Sequence, residues 1–121
     1  MLMANNKLKS FVASGAIAPR RFVKFGASDS LVVQAGATDG GAVVGVANEL
    51  GGVDTQRVEC FVADFCDVEY GGTIARGANV TSDAQGRAVT AGAGAAYCGV
   101  AMVSGVVGDI ASIRITRGVA P

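Results

Sequence analysis

Turn signals interrupt this chain throughout, and outside the first dozen residues, where a short helix is possible, the runs between them read as short strands rather than helices. They fall at Gly26-Ala-Ser-Asp29, Thr38-Asp-Gly-Gly41, Gly51-Gly52, Gly71-Gly72, Ser82-Asp-Ala-Gln-Gly86 and Gly108-Asp109. Glycine tolerates positive φ, and Asp and Ser cap turns with a side-chain oxygen, so each cluster bends or reverses the backbone. Between the signals lie short runs rich in β-branched and aromatic residues: RFVKF (21–25), SLVVQA (30–35), AVVGVA (42–47), RVECFVA (57–63) and ASIRIT (111–116). The last alternates, with Ile113 and Ile115 on one face and Arg114 and Thr116 on the other, which is the period of a half-buried strand. Short strands at spacings of about ten residues predict an all-β sandwich or barrel.

The chain also says nearly the same thing twice. Gly15-Ala-Ile-Ala18 aligns with Gly72-Thr-Ile-Ala75, Ser28-Asp29 with Ser82-Asp83, Val33-Gln-Ala-Gly36 with Val89-Thr-Ala-Gly92, and Gly45-Val-Ala47 with Gly99-Val-Ala101. The order of turns and strands agrees as well as the composition, which points to a duplicated β unit. Two copies are too few for a solenoid, but two such units can cover each other's apolar faces. At 121 residues the chain holds one domain. The expected organisation is an N-terminal arm over residues 1–13 and a single β domain over 14–121, with repeat-like units at about 14–63 and 71–117.

Several kinds of chemistry are disfavoured. Ten basic and ten acidic residues cancel, whereas a protein that binds duplex nucleic acid usually carries a basic face. No histidine occurs, and the three cysteines, Cys60, Cys66 and Cys98, have no CxxC spacing. That pattern reads as reduced thiols in a protein folded in a reducing cytoplasm, without a zinc site, although a Cys60–Cys66 bridge is an alternative. The stretch ECFVADFCDVEY offers Glu59, Asp64, Asp67 and Glu69, a foothold for acid–base or metal chemistry. The simpler reading has Asp67 and Glu69 solvated on one strand face and Asp64 at a turn near Ala63. TAGAGAAYCG lacks the third glycine of a dinucleotide fingerprint, and no Walker-type GK[ST] or Gly-x-Ser-x-Gly elbow occurs. The expectation is a protein that is not an enzyme and has no catalytic residue, metal or cofactor. The most apolar run, 95–107, is short and broken by Gly99, Ser104 and Gly105, so no membrane span is expected. The start has two lysines and a weak apolar stretch but is interrupted by Ser14 and Gly15, unlike a signal peptide.

The first residues, ANNKLKSFVA, lie outside the repeat and alternate Lys7, Lys9 and Phe11 against Leu8, Ser10 and Val12. Such a segment either frays or adds itself as a strand to a neighbour's sheet edge. On the second reading Asn5, Lys7, Leu8, Lys9 and Phe11 are the contact residues.

At Asp67-Val-Glu-Tyr-Gly-Gly-Thr-Ile-Ala-Arg-Gly77, followed by VTSDAQGRAV and CGVAMVSGVVGDIASIRI, the sequence resembles the decoration (capsid cement) proteins of tailed bacteriophages. The resemblance runs from about Ala13 to Thr116 and includes the early APRRFVKF; its most specific part is Val68, Glu69, Tyr70, Gly71 and Gly72 with Ile74 and Gly77. In the chain itself, Gly71 and Gly72 are expected to supply turn angles that β-branched residues resist. The resemblance implies a small all-β virion protein, made in the bacterial host cytoplasm and bound to the outer capsid surface. Its partners would be the major capsid protein and copies of itself, a trimer favoured over a dimer. It would reinforce contacts between capsomers and bind neither nucleic acid nor membrane. The alternative is a small β-barrel binding module on the virion surface that recognises a glycan or host surface, with Tyr70 and Tyr97 as its available aromatic faces.

Overall fold

A computed structural model describes residues 7–121. It contains ten strands: β1 Leu8–Ala13, β2 Phe22–Phe25, β3 Leu31–Gln34, β4 Val43–Ala47, β5 Arg57–Phe61, β6 Phe65–Glu69, β7 Asn79–Ser82, β8 Ala88–Thr90, β9 Ala96–Ala101 and β10 Ile110–Val119. Apart from one 3₁₀ turn at Gly40–Ala42 the described residues hold no helix. The chain is all-β, as its turn spacing predicts. Strands β1 to β5 form a closed barrel in the order β1-β3-β2-β4-β5, and β6 to β10 form a sheet in the order β6-β10-β9-β7-β8.

The second sheet repeats the first pair for pair. Leu8 to Val12 run against Phe61 to Arg57, and Phe65 to Glu69 run against Arg114 to Ile110 in the same register. Val23, Lys24 and Phe25 face Gln34, Val33 and Val32, while Val80, Thr81 and Ser82 face Thr90, Val89 and Ala88. Val23 meets Gly45 as Val80 meets Gly99. Ala47 meets Cys60 as Ala101 meets Ile113. The parallel pair Ala13–Val32 that helps close the first barrel recurs as the single parallel bridge Tyr70–Ala88. Even the isolated bridge Ile17–Gly52 has its twin in Ile74–Gly105. The second sheet is therefore a barrel of the same plan, closed by one bridge.

The interiors match too. Phe11, Ala13, Ile17, Val23, Val32, Ala47, Val58 and Cys60 fill the first barrel. Their register counterparts Val68, Tyr70, Ile74, Val80, Ala88, Ala101, Ala111 and Ile113 are all buried in the second cluster. Volume is exchanged between positions: barrel one is larger at Phe11, Val32 and Val58, and barrel two is larger at Tyr70 and Ile113. Cores tolerate such exchanges when total volume is kept.

Four expectations need correction. The arm assigned to residues 1–13 is not an arm where the structure describes it. Residues 8–13 form β1, bonded along one edge to β5 and, at Val12 and Ala13, on the other edge to β3, so the segment is built into the barrel wall. The duplicated units consequently begin one strand earlier than 14 and 71, at β1 and β6. The alignment of Ser28-Asp29 with Ser82-Asp83 is displaced, because Ser82 pairs with Ala88 as Phe25 pairs with Val32. The other three aligned stretches share register. Gly71 and Gly72 have no positive φ; in that motif it is Gly77 that does (φ +89). Gly71 instead lacks a side chain because the Asp83 carboxylate and the Arg87 side chain crowd it.

The barrels are joined by a backbone insertion. In barrel one the Val12 N–H donates to the Ser30 carbonyl at 2.8 Å. The counterparts of these two residues, Glu69 and Gly86, are separated by residues 20–22. The Glu69 N–H donates to the Arg20 carbonyl (3.0 Å), and the Phe22 N–H donates to the Gly86 carbonyl (2.8 Å). The Arg21 guanidinium locks the insertion, with Nη2 donating to Glu69 Oε1 at 3.2 Å and Nη1 to the Gln85 carbonyl at 2.8 Å. A Cβ on Gly86 would meet Arg21 Cβ and the Phe22 carbonyl, each at 3.2 Å.

Candidate functional site

The side chains with chemical potential are mostly engaged in holding the fold. Asp64 sits at positive φ in the turn between β5 and β6, 3.7 Å from Lys7 Nζ. Asp67 lies 3.6 Å from Arg20 Nη1, and Glu69 pairs with Arg21. Glu59, on β5, keeps one buried carboxylate oxygen without a hydrogen-bond partner among the described residues, as does Arg21 Nε. Asp64, Asp67 and Glu69 thus face three different cations rather than one shared partner. Among the described residues no group of acidic and cysteine side chains could hold a metal ion.

Cys60, Cys66 and Cys98 are free and buried. Cys60 lies inside barrel one, whereas Cys66 and Cys98 belong to the second cluster, which rules out the Cys60–Cys66 bridge considered above. Burial first, then a neighbouring acidic charge, pushes the Cys60 and Cys66 thiols up to about 12; burial does the same for Cys98. A thiol with so high a pKa is a poor nucleophile near neutral pH.

The residues of the Val68–Gly77 motif are structural. Val68, Tyr70 and Ile74 are buried in barrel two. The Tyr70 hydroxyl donates to the Val103 carbonyl at 2.8 Å, and its pKa is raised by burial and then by the Asp109 charge. Glu69 holds Arg21, Gly71 and Gly72 carry the turn out of β6, and Gly77 turns the chain into β7. Of the expected contact residues, Lys7 begins the described chain, Leu8 and Lys9 are exposed on β1, and Phe11 is buried. Asn5 lies outside the described residues. Tyr70 has no exposed face to offer a ligand, and Tyr97 is half-buried, its ring where a Cβ on Gly118 would stand.

What the surface does present is apolar. The loop from β9 to β10 exposes Met102, Val103, Val106, Val107 and Ile110. The matching loop from β4 to β5 exposes Leu50 and Val53 at positions corresponding to Val103 and Val106, and Leu50 is 79% exposed. In each unit the loop is pinned at its base by the Ile17–Gly52 or Ile74–Gly105 bridge, two backbone hydrogen bonds of 2.8 to 2.9 Å. Rigid loops that hold apolar side chains in water are interaction surfaces more often than idle ones. Neither loop stands out in sequence as a site: each carries a turn signal, and only the alignment of the two units shows that they repeat.

At the opposite end of barrel one lies a cavity of about 690 Å³. Phe11, Phe25, Val44 and Val62 form its apolar floor, and Lys9 and the hairpin residues Ser28, Asp29 and Ser30 form its rim. Phe25 is 64% exposed and stands edge-on to Phe11, ring centroids 6.2 Å apart.

No protein-family model matches the chain, and no curated protein matches it in sequence. Among solved structures it is similar to the N base of head fiber gp8.5 of bacteriophage phi29. The two are 18% identical, with a TM-score of 0.73 over 90% of this chain and 92% of that one. The likeness establishes the fold, and it covers both barrels.

Proposed function

We propose that this chain is a virion structural protein that binds the outer surface of an assembled phage capsid and stabilises contacts between capsomers. The observation that carries the reading is the shared fold. Both barrels are similar to the base of a phage head fiber, and the sequence independently resembles capsid decoration proteins at Val68–Gly77. The role is binding without turnover. Asp64, Asp67 and Glu69 are engaged in ion pairs and the thiols are buried. The major capsid protein is the proposed partner, and the paired apolar loops around Leu50 and Val103 are the proposed contact. Repetition of one loop shape in one chain gives two similar footholds, and many copies on a lattice multiply modest contacts. A ligand that binds the assembled state alone stabilises it by mass action.

Co-sedimentation of the purified chain with assembled capsids and with free capsid protein tests this. We expect it to pellet with capsids and not to bind free subunits. The double variant Val103→Asp, Val106→Asp changes two exposed side chains, so it should keep its melting temperature while losing most capsid binding. Absence of the chain from purified virions would overturn the reading.

A further inference from the structure

The two barrels differ in one respect that their common plan makes visible: among the described residues, one mouth is sealed and the other is open. In barrel two the end lined by Cys66, Cys98 and Ile115 is covered by the outer face of barrel one, where Phe22, Val43 and Val46 join the same buried cluster with Phe61 packed beside them. The counterparts of Cys66, Cys98 and Ile115 in barrel one are Lys9, Val44 and Val62, which line the open cavity together with Phe11 and Phe25. The outer face of barrel two that corresponds to the sealing face carries Asn79, Tyr97, Val100 and Arg114. The first three are half-buried and Arg114 is exposed. One chain therefore holds a used mouth, a used face, and an unused copy of each.

We propose that the open mouth of barrel one receives the outer β7–β9–β10 face of barrel two from a second copy of this chain, in a head-to-tail contact. The contact within the chain supplies the pattern: outer face over barrel end. Two features adapt it. Tyr97 and Val100 are the apolar contribution to the Phe11–Phe25 floor, and Arg114 brings a cation to Asp29 on the rim. The Val12–Ser30 hydrogen bond stays closed in barrel one, so the second copy seats by side chains rather than by the backbone insertion of residues 20–22. A contact between different patches is heterologous, and its repetition closes into a ring or runs on as a filament. The mouth is at the opposite end of barrel one from the Leu50 loop, so copies can associate while that loop faces a capsid. This goes beyond the proposed capsid contact, and its test needs no capsid, so its failure leaves capsid binding to stand or fall separately.

Sedimentation equilibrium of the full chain over a wide concentration range, with two single variants, decides it. The wild type should associate. Phe25→Asp spoils the mouth, and Val100→Asp spoils the face. Each should be monomeric with a wild-type circular-dichroism spectrum and melting curve. Because each variant retains the half the other lacks, their equimolar mixture should form a one-to-one dimer and stop there. A monomeric wild type overturns the proposal. So do folded variants that associate like the wild type, or a mixture that stays monomeric. If Phe25→Asp fails to fold, Phe25→Ser, the residue at the matching position of barrel two, replaces it in the same mixture.

Discussion

Among the described residues, four other than glycine adopt positive φ: Arg20, Ser30, Thr55 and Asp64. The first three have counterparts in the second unit, and each counterpart is a glycine, Gly77, Gly86 and Gly108, also at positive φ. The backbone of the common unit thus demands a left-handed residue at three places, and the first unit meets the demand with side chains that resist it. For Thr55 the conflict is sharpest, because a β-branched residue at φ 67 crowds its own backbone. The left-handed conformation costs an L-residue about 1–2 kcal/mol, and glycine's extra freedom in the unfolded chain costs about 0.5–1 kcal/mol. Thr55 is exposed, so little packing is lost on removing it. Thr55→Gly should therefore stabilise the protein by about 1 kcal/mol or less, read as a higher denaturant midpoint with an unchanged m-value. These positions are hard to read in the first unit alone, since nothing about Arg, Ser or Thr announces positive φ. They become legible once the glycines of the second unit are placed beside them in the correct register.

At the scale of the element, Gly45 and Gly99 show how one strand position is constrained by its neighbour. Both face the next strand of their barrel, and neither has positive φ. A Cβ on Gly45 would run into the Phe61 carbonyl oxygen, which is backbone and cannot turn aside. A Cβ on Gly99 would meet Ile113 Cδ1 at 2.9 Å, the free end of a side chain, and the Arg114 carbonyl at 3.2 Å. Gly45→Ala should cost about 1–3 kcal/mol by forcing β4 from β5, and Gly99→Ala distinctly less; equilibrium urea unfolding of the two variants gives the order. The reverse order would mean that β9 and β10 are the more rigid pair. The first strand teaches a different lesson. LKSFVA and FCDVE share no residues that an alignment can seize, yet β1 and β6 occupy one place in the two barrels. Barrel membership at that position asks for alternation and a free backbone, and many sequences meet both.

At the scale of the whole molecule, the insertion of residues 20–22 makes the barrels unequal partners. Barrel one closes by its own hydrogen bonds, while barrel two is closed by one bridge and completed by backbone from barrel one. The second unit alone, residues 65–121, should lack a stable fold, with poor amide dispersion in its nuclear magnetic resonance spectrum. The full chain should unfold in a single transition, because the Phe22–Val43–Val46 face cannot leave barrel two without exposing its core. A well-dispersed spectrum from the isolated second unit would show that the insertion is dispensable.

The sequence by itself determined the strand character, the turns and the duplication of this protein. Alternation, β-branching and the backbone freedom of glycine act over a few residues and can be read where they stand. Only the tertiary structure decided which strand lies beside which, that residues 8–13 belong to a barrel, that Tyr70 and the acidic stretch serve the fold, and that one barrel mouth is sealed while its twin is open. Those outcomes depend on backbone hydrogen bonds between segments far apart in the chain. The bonding groups are the same in nearly every residue, so no side chain near Arg20 records that its carbonyl will meet the Glu69 amide.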